Sequence, residues 1–188
     1  MRPIAALDAN VLFSANLRDT LLWPAFARIY QARFTNRIHE EWIRAVLKQR
    51  SHLTRGPLEK TRDLMNAKIP GALVEDYEPL IDDLQLPDPN DRHVLAAAIH
   101  SGCDRIITWN TADFPALALE AHAIKTQLPD DFLLELMRNF PKDMVDSLRR
   151  QRANLSKPPL EVERFIENLR KQSLPKFVKA IETHKDNF

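Results

Sequence analysis

The stretch "DPNDRHVLAAAIHSGCDRIITWN", Asp88 to Asn110, constrains the fold more than any other part of this chain. Asp88 reads as a helix N-cap, Pro89 takes the first helical position, and Gly102 follows the last apolar turn. The spacing therefore predicts a helix with both ends signalled. "DRIITW" follows at once, too short for a helix and suited to a buried strand. A similar strand, Pro3 to Leu7, opens the chain, and "HAIKTQ" offers a weaker third. Strands alternating with helices predict an α/β domain on a parallel sheet. Ligands of such sheets bind beyond the carboxyl ends of the strands. Asp8 and Asn110, each at the end of a strand, are thereby candidates for one rim.

Between these strands the pattern is helical. Helices are expected from Asn10 to Leu17, on to about Tyr30, through "TNRIHEEWIRAVLKQR" with Thr35 or Asn36 as cap, and through "GPLEKTRDLMNA", opened by Pro57. Beyond Leu128 only helices are expected, near 130–139, 142–153, 160–172 and 174–184, with a break at "SKPP". The reading is an α/β domain over residues 1–128 and a helical C-terminal extension over 129–188. Phe132, Leu136, Phe165, Leu169 and Phe177 give that extension more apolar side chains than a short soluble tail needs. They either pack on the domain or widen a docking surface.

Composition removes several classes. The single cysteine, Cys103, leaves no internal disulfide framework and no cysteine-based zinc site, and reads as a small buried residue. Arg2 and the apolar run after it mimic a secretory signal, but the run is short and Asp8 interrupts it. No stretch approaches the roughly 18 apolar residues of a membrane span, so a cytoplasmic protein is expected. Net charge is only +1, yet the charges are segregated. Seven acids and no base lie between Glu75 and Asp91, whereas from Arg44 to Arg62 six bases face Glu59 alone. Residues 142–188 carry 11 Lys/Arg against 7 Asp/Glu. A cation site beside a polyanion-binding surface needs such segregation, although solvated helix faces also produce it.

Individual acids admit two readings. Asp8 and Asn10 interrupt the apolar "IAALDANVLFSA", and a buried carboxylate costs free energy unless something pairs with it. That partner is either a helix terminus or a metal ion. In the third helix, Ile38, Trp42, Ala45 and Val46 share one face. Glu41 borders this stripe and Glu40 points away, so Glu41 is placed to aim into a site. Asp88 and Asp91 have the spacing of a capping-box variant, which accounts for Asp88. Asp91 also shares the face of Val94, Leu95 and Ala98. In "ITWNTADFP", Asn110 takes the strand-end position with Asp113 three residues on, and a capped short helix is the simpler alternative.

Taken in order, "LDANVL", "IHEEW" and "LPDPNDRHVLAAAIHSGCDRIITWNTADFP" resemble the PIN-domain family over about residues 3–128. That family consists of metal-dependent ribonucleases and includes the VapC-type toxins of bacterial toxin–antitoxin pairs. The resemblance implies a three-layer α/β/α domain with a central parallel sheet, and three or four carboxylates around one or two divalent cations. By position it assigns the first acid to Asp8, the second to Glu41 and the third to Asp91. The usual fourth place holds Asn110, with Asp113 the nearest carboxylate. It also implies RNA as substrate and a small antitoxin as protein partner, and leaves a homodimer open.

The chemistry suits these groups. Phosphodiester hydrolysis builds negative charge on an already anionic centre, which bound cations stabilise while lowering the pKa of the attacking water. Mg²⁺ or Mn²⁺ prefer oxygen ligands of the kind that Asp8, Glu41, Asp91 and Asp113 supply. Asn10 could orient a ligand or a water, since its amide both donates and accepts. Arg44, Lys48, Arg50 and Arg55, with Arg149, Arg150 and Arg152, would hold phosphates, and Trp109 either stacks a base or packs in the core. Two rivals stand: a phosphatase with Asp8 as nucleophile, and an inactive binding module that has lost the fourth acid.

Overall fold

The structure is a computed structural model and describes residues 2–155 and 158–187. Its centre is a four-stranded parallel sheet in the order β2-β1-β3-β4, formed by β1 (Ile4–Leu7), β2 (Gln31–Arg33), β3 (Arg105–Ile107) and β4 (Lys125–Gln127). The helices are α1 (Ala9–Leu12), α2 (Ala15–Phe26), α3 (Asn36–Gln49), α4 (Arg55–Lys68), α5 (Arg92–His100), α6 (Ala116–Glu120), α7 (Pro129–Asn139), α8 (Pro141–Leu155), α9 (Val162–Arg170) and α10 (Pro175–Glu182). This is the expected α/β fold with a helical C-terminal region. No helix among the described residues is long and apolar enough to cross a membrane.

The helix expected from Asn10 to Leu17 is divided into α1 and α2 at Phe13 and Ser14, and other local differences have physical causes. The helix expected to reach Tyr30 ends at Phe26, because Arg28 adopts a left-handed backbone (φ 56°). The chain then forms β2, a strand of three residues that leaves too little alternation to recognise in sequence. The helix expected from Asp88 begins instead as a 3₁₀ turn at Pro89–Asp91 before α5, with Gly102 (φ 64°) closing it as expected. Two residues of the "SKPP" break, Ser156 and Lys157, lie outside the described residues.

One hydrophobic cluster runs from the sheet into the C-terminal helices. Phe132, Leu136, Phe165, Leu169 and Phe177 are at most 1% exposed, so they pack inside and offer no docking surface. At about 1.5–3 kcal/mol for each fully buried side chain, they bind this region firmly to the rest. Tyr30, after α2, meets Phe132 of α7 edge-on at 4.9 Å. Gln151 of α8 donates to Thr20 of α2 (3.0 Å), and Arg105 of β3 pairs with Glu135 of α7 (2.8 Å). Helix α2 is thus covered from both sides, which explains its buried residues all round.

The chain passes from β1 to β2 on one side and later to β3 on the other. This reversal makes the gap between the carboxyl ends of β1 and β3 the topological switch point, where open α/β sheets place their ligands.

Candidate active site at the switch point

A cleft of about 770 Å³ opens at that position. Asp8 enters it directly after β1, and Asn110 enters it three residues after β3. Glu41 comes from α3, Asp91 from the turn before α5, and Asn10 from α1. Five of the six residues singled out in the sequence therefore line one cavity, with Lys48 at its edge. Asp113 is not among the lining residues; it sits on the Thr111–Asp113 turn, close enough for its charge to act on Asp91.

The phase of α3 decides between the two glutamates. Thr35 caps this helix by accepting from the Ile38 N–H at 3.1 Å. Buried Trp42 then fixes its rotation, with Arg18 of α2 lying 4.6 Å above the ring, while within α3 the indole N–H donates to His39 Nδ1 (3.0 Å). Because an indole can only donate, His39 carries its proton on Nε2, which faces Asn66 Oδ1 at 3.0 Å. Burial holds the His39 pKa down to about 4, consistent with a neutral ring. Glu41 consequently faces the cleft, and Glu40 pairs with Arg55 on the surface. Ala45, on the apolar stripe by spacing, is exposed because there the stripe borders the cleft instead of the core.

Three of the candidates stand at N-cap positions: Asp8 before α1, Asp91 before α5 and Asn110 before the Thr111–Asp113 turn. None makes a side-chain capping bond. The capping role in "DPND" falls to Asp88 alone, which accepts from the Asn90 N–H at 2.8 Å. A side-chain capping bond therefore accounts for none of the three, although the Ala9 backbone N–H at the start of α1 also bears on the Asp8 carboxylate.

Asp8 is 7% exposed, and its Oδ2 accepts from Asn10 Nδ2 and Thr108 Oγ1, both at 2.7 Å. Asn10 also donates to Thr108 Oγ1 (2.9 Å), while its Oδ1 accepts from the Trp109 N–H (3.2 Å). The Asn110 N–H donates to Thr108 Oγ1 at 3.0 Å. Thr108, fully buried, thus ties the end of β1 to the end of β3. Sequence reasoning passed over Thr108; its position opposite Asp8 was the available signal. Trp109 is only partly buried and packs against the core, outside the cleft lining.

His93 was also missed. Its Nε2 stands 3.0 Å from Glu41 Oε1, Arg37 donates to the same oxygen at 3.2 Å, and the ring is 1% exposed. Its Nδ1 has no partner among the described residues. The apolar character of α5 disguised this histidine as a core residue.

The carboxylates differ in how far they are satisfied. Burial disfavours the charged form of Glu41, but the His93 and Arg37 contacts outweigh it and hold its carboxyl below the ordinary range. Burial pushes the Asp8 carboxyl up, opposed by the Thr108 bond and reinforced by the charge of Glu41. Asp91 is pushed up to about 6, first by burial and then by the charges of Asp8, Asp113 and Asp88. Two repelling, partly desolvated carboxylates are oxygen donors of the kind that a hard divalent cation takes. Among the described residues no three His, Cys, Asp or Glu side chains already converge on a single point. A hydrated ion, which keeps several waters of its own, fits this arrangement better than a stripped one.

The basic flanks are unequal. Lys48 lines the cleft, Arg44 lines a small hollow beside it, and Arg50 lies 6.0 Å over the ring of Phe13, which also lines the cleft. Arg55 is engaged by Glu40 and Glu59, Arg149 by Asp146, and Arg152 by the Leu160 carbonyl.

Comparison with known proteins finds two family models that match different parts of the chain. The VapC50 C-terminal domain family matches residues 129–183. A protein of Mycobacterium tuberculosis named "Putative ribonuclease VapC50" is 51% identical over 45 residues, covering 24% of this chain and 27% of that protein. The matched segment spans about a quarter of that relative's length. No solved structure matches the chain. The PIN domain family matches residues 5–112, more than half of the sequence, and the chain belongs to that family.

Proposed function

We propose that this protein is a divalent-metal-dependent ribonuclease acting as the toxin of a toxin–antitoxin pair. One observation carries the reading: Asp8, Asp91 and Glu41 share a cleft at the switch point, where burial and mutual repulsion push the carboxyls of the first two up and neither forms an ion pair among the described residues. Membership of the PIN family and the name of the mycobacterial relative support it. Asp8 and Asp91 would hold Mg²⁺ or Mn²⁺, with Glu41 and Asp113 completing the acidic set. Such an ion supplies charge for the scissile phosphate and a water of lowered pKa.

The chain's own residues do the rest. Asn10 and Thr108 fix the Asp8 carboxylate, and Asn110 presents an amide where a fourth acid would add charge. Lys48 offsets the phosphate's repulsion by the acids. His93 and Arg37 hold Glu41 in one orientation. An antitoxin would cover the same cleft by seating an Arg or Lys near Asp8 and Asp91, since a guanidinium pairs with carboxylates in two parallel bonds.

The test incubates tRNA, mRNA and rRNA with the protein in Mg²⁺, Mn²⁺ or EDTA, with a small phosphate ester in parallel. Cleavage of RNA that EDTA stops, with the ester untouched, is expected. Hydrolysis of the ester would indicate a phosphatase, and RNA binding without cleavage an inactive module. Expression in a bacterial host should arrest growth unless the adjacent open reading frame is co-expressed. Harmless expression of an active enzyme would remove the toxin role alone.

A further inference from the structure

At the opposite end of the sheet lies a second hollow, of about 660 Å³, lined by Arg2, Arg28, Arg33 and Lys68 and by no acid. None of these four cations takes part in an ion pair among the described residues, whereas Arg55, Arg105 and Arg170 each engage two carboxylates. Asp104, at the same end of the sheet, is occupied by the Ile4 N–H and by Arg105. Arg33 is half-buried, and its guanidinium is held by the Ala32 carbonyl and Gln31 Oε1, both at 2.9 Å. Its guanidinium thus has neutral acceptors but no counter-charge among the described residues, which an arriving anion would supply. Arg28 occupies a left-handed backbone position (φ 56°) that glycine would fill with less strain. Half-buried Phe26 adds an aromatic ring to the lining.

We infer that this hollow is a second RNA-binding surface, which grips the phosphate backbone of a strand whose scissile bond lies in the acidic cleft. Three arginines suit phosphate geometry, and cations beside an aromatic ring are the combination that tracks single strands. The cleft's own carboxylates repel phosphate, so affinity must be gathered away from them. From Arg2 to Asp8 the extended chain spans roughly 20 Å, so only RNA longer than the cleft can reach both. The choice of RNA as the polyanion rests on the ribonuclease reading, but binding can be measured without metal and without cleavage.

The test compares wild type with R28G/K68Q by fluorescence anisotropy of a labelled 20-nucleotide single-stranded RNA in EDTA, across a salt series. Arg28→Gly relaxes the backbone and Lys68→Gln is on the surface, so melting should hold and a fall in affinity cannot be put down to unfolding. Affinity should drop roughly fivefold to tenfold, and the salt slope should flatten by about 1.4 for two lost phosphate contacts. Unchanged affinity and slope, or no RNA binding by wild type, overturns the inference. So does poly-glutamate binding that is lost in the variant while RNA binding is kept, which would indicate an acidic protein partner. RNA binding lost in the variant by a wild type that cleaves nothing would uphold this surface and sink only the nuclease reading.

Discussion

Asp8 in the cleft and Asp130 at the start of α7 are almost equally hidden, at 7% and 6% exposed, yet the molecule treats them differently. Asp130 accepts from the backbone N–H groups of Lys176 (3.1 Å) and Phe177 (2.8 Å), capping α10 from 46 residues away. Both its oxygens are used and the helix's positive end compensates its charge. Asp8 has two side-chain donors on one oxygen and a backbone bond from Ala9, yet with further carboxylates across the cavity its burial still drives its pKa up. A buried acid by itself indicates nothing. What separates a structural acid from a functional one is whether the protein supplies its counter-charge or leaves that to a ligand.

Exchanging the two outcomes would break this comparison. Asp8→Ala should reduce RNA cleavage to the level of the EDTA control while the metal-free protein melts no lower than wild type, because a repelling charge has gone. Asp130→Ala should do the reverse. Two buried N–H donors lose their partner at a cost of about 1–3 kcal/mol, or about 2–4 °C of melting temperature per kcal/mol, with cleavage per folded molecule retained. Thermal melts and a cleavage assay on both variants decide it; cleavage by Asp8→Ala at the wild-type rate would move the site elsewhere.

A smaller effect is expected one layer out from the acids. His93→Ala frees Glu41 to leave its orientation and should weaken Mn²⁺ binding by about 10–100-fold, with partial recovery in His93→Gln, whose amide can donate to the same oxygen. Mn²⁺ titration followed by electron paramagnetic resonance reads this without RNA. Glu40→Gln, on the outer side of the same helix, should change neither metal affinity nor cleavage. Losses in Glu40→Gln equal to those in Glu41→Gln would show that the phase of α3 has no bearing on function.

The smallest effect is in pH dependence. With its folded pKa raised to about 6, Asp91 binds its proton more tightly folded than unfolded. It therefore contributes stability at low pH that is lost as pH rises from the ordinary carboxylate range through about 6. Melting of the metal-free protein should show this decline relative to Asp91→Asn. Saturating Mg²⁺ should restore stability at pH 7, since the cation replaces the proton. Identical pH profiles for wild type and Asp91→Asn would mean that neither burial nor its neighbours' charges raise the Asp91 carboxyl.

The sequence by itself determined the helices and the strands that carry strong signals. Thr35, Asp88 and Gly102 act within a few residues of themselves, and the 3.6-residue repeat that turns Glu41 inward is local to α3. The same short range explains the misreadings: β2 is three residues long, and Arg28 breaks α2 without a glycine to announce it. Only the tertiary structure decided which N-cap acids cap nothing, because that depends on side chains arriving from elsewhere. Thr108 reaches Asp8 across 100 residues, His93 meets Glu41 from another helix, and Asp130 holds the start of α10. The sheet decided too that Asp8 and Asp91 gather at one of its ends and Arg2, Arg28, Arg33 and Lys68 at the other, none of them in an ion pair among the described residues. Periodicity and capping are properties of neighbouring residues, whereas the compensation of a charge is a property of everything the fold brings within a few ångströms of it.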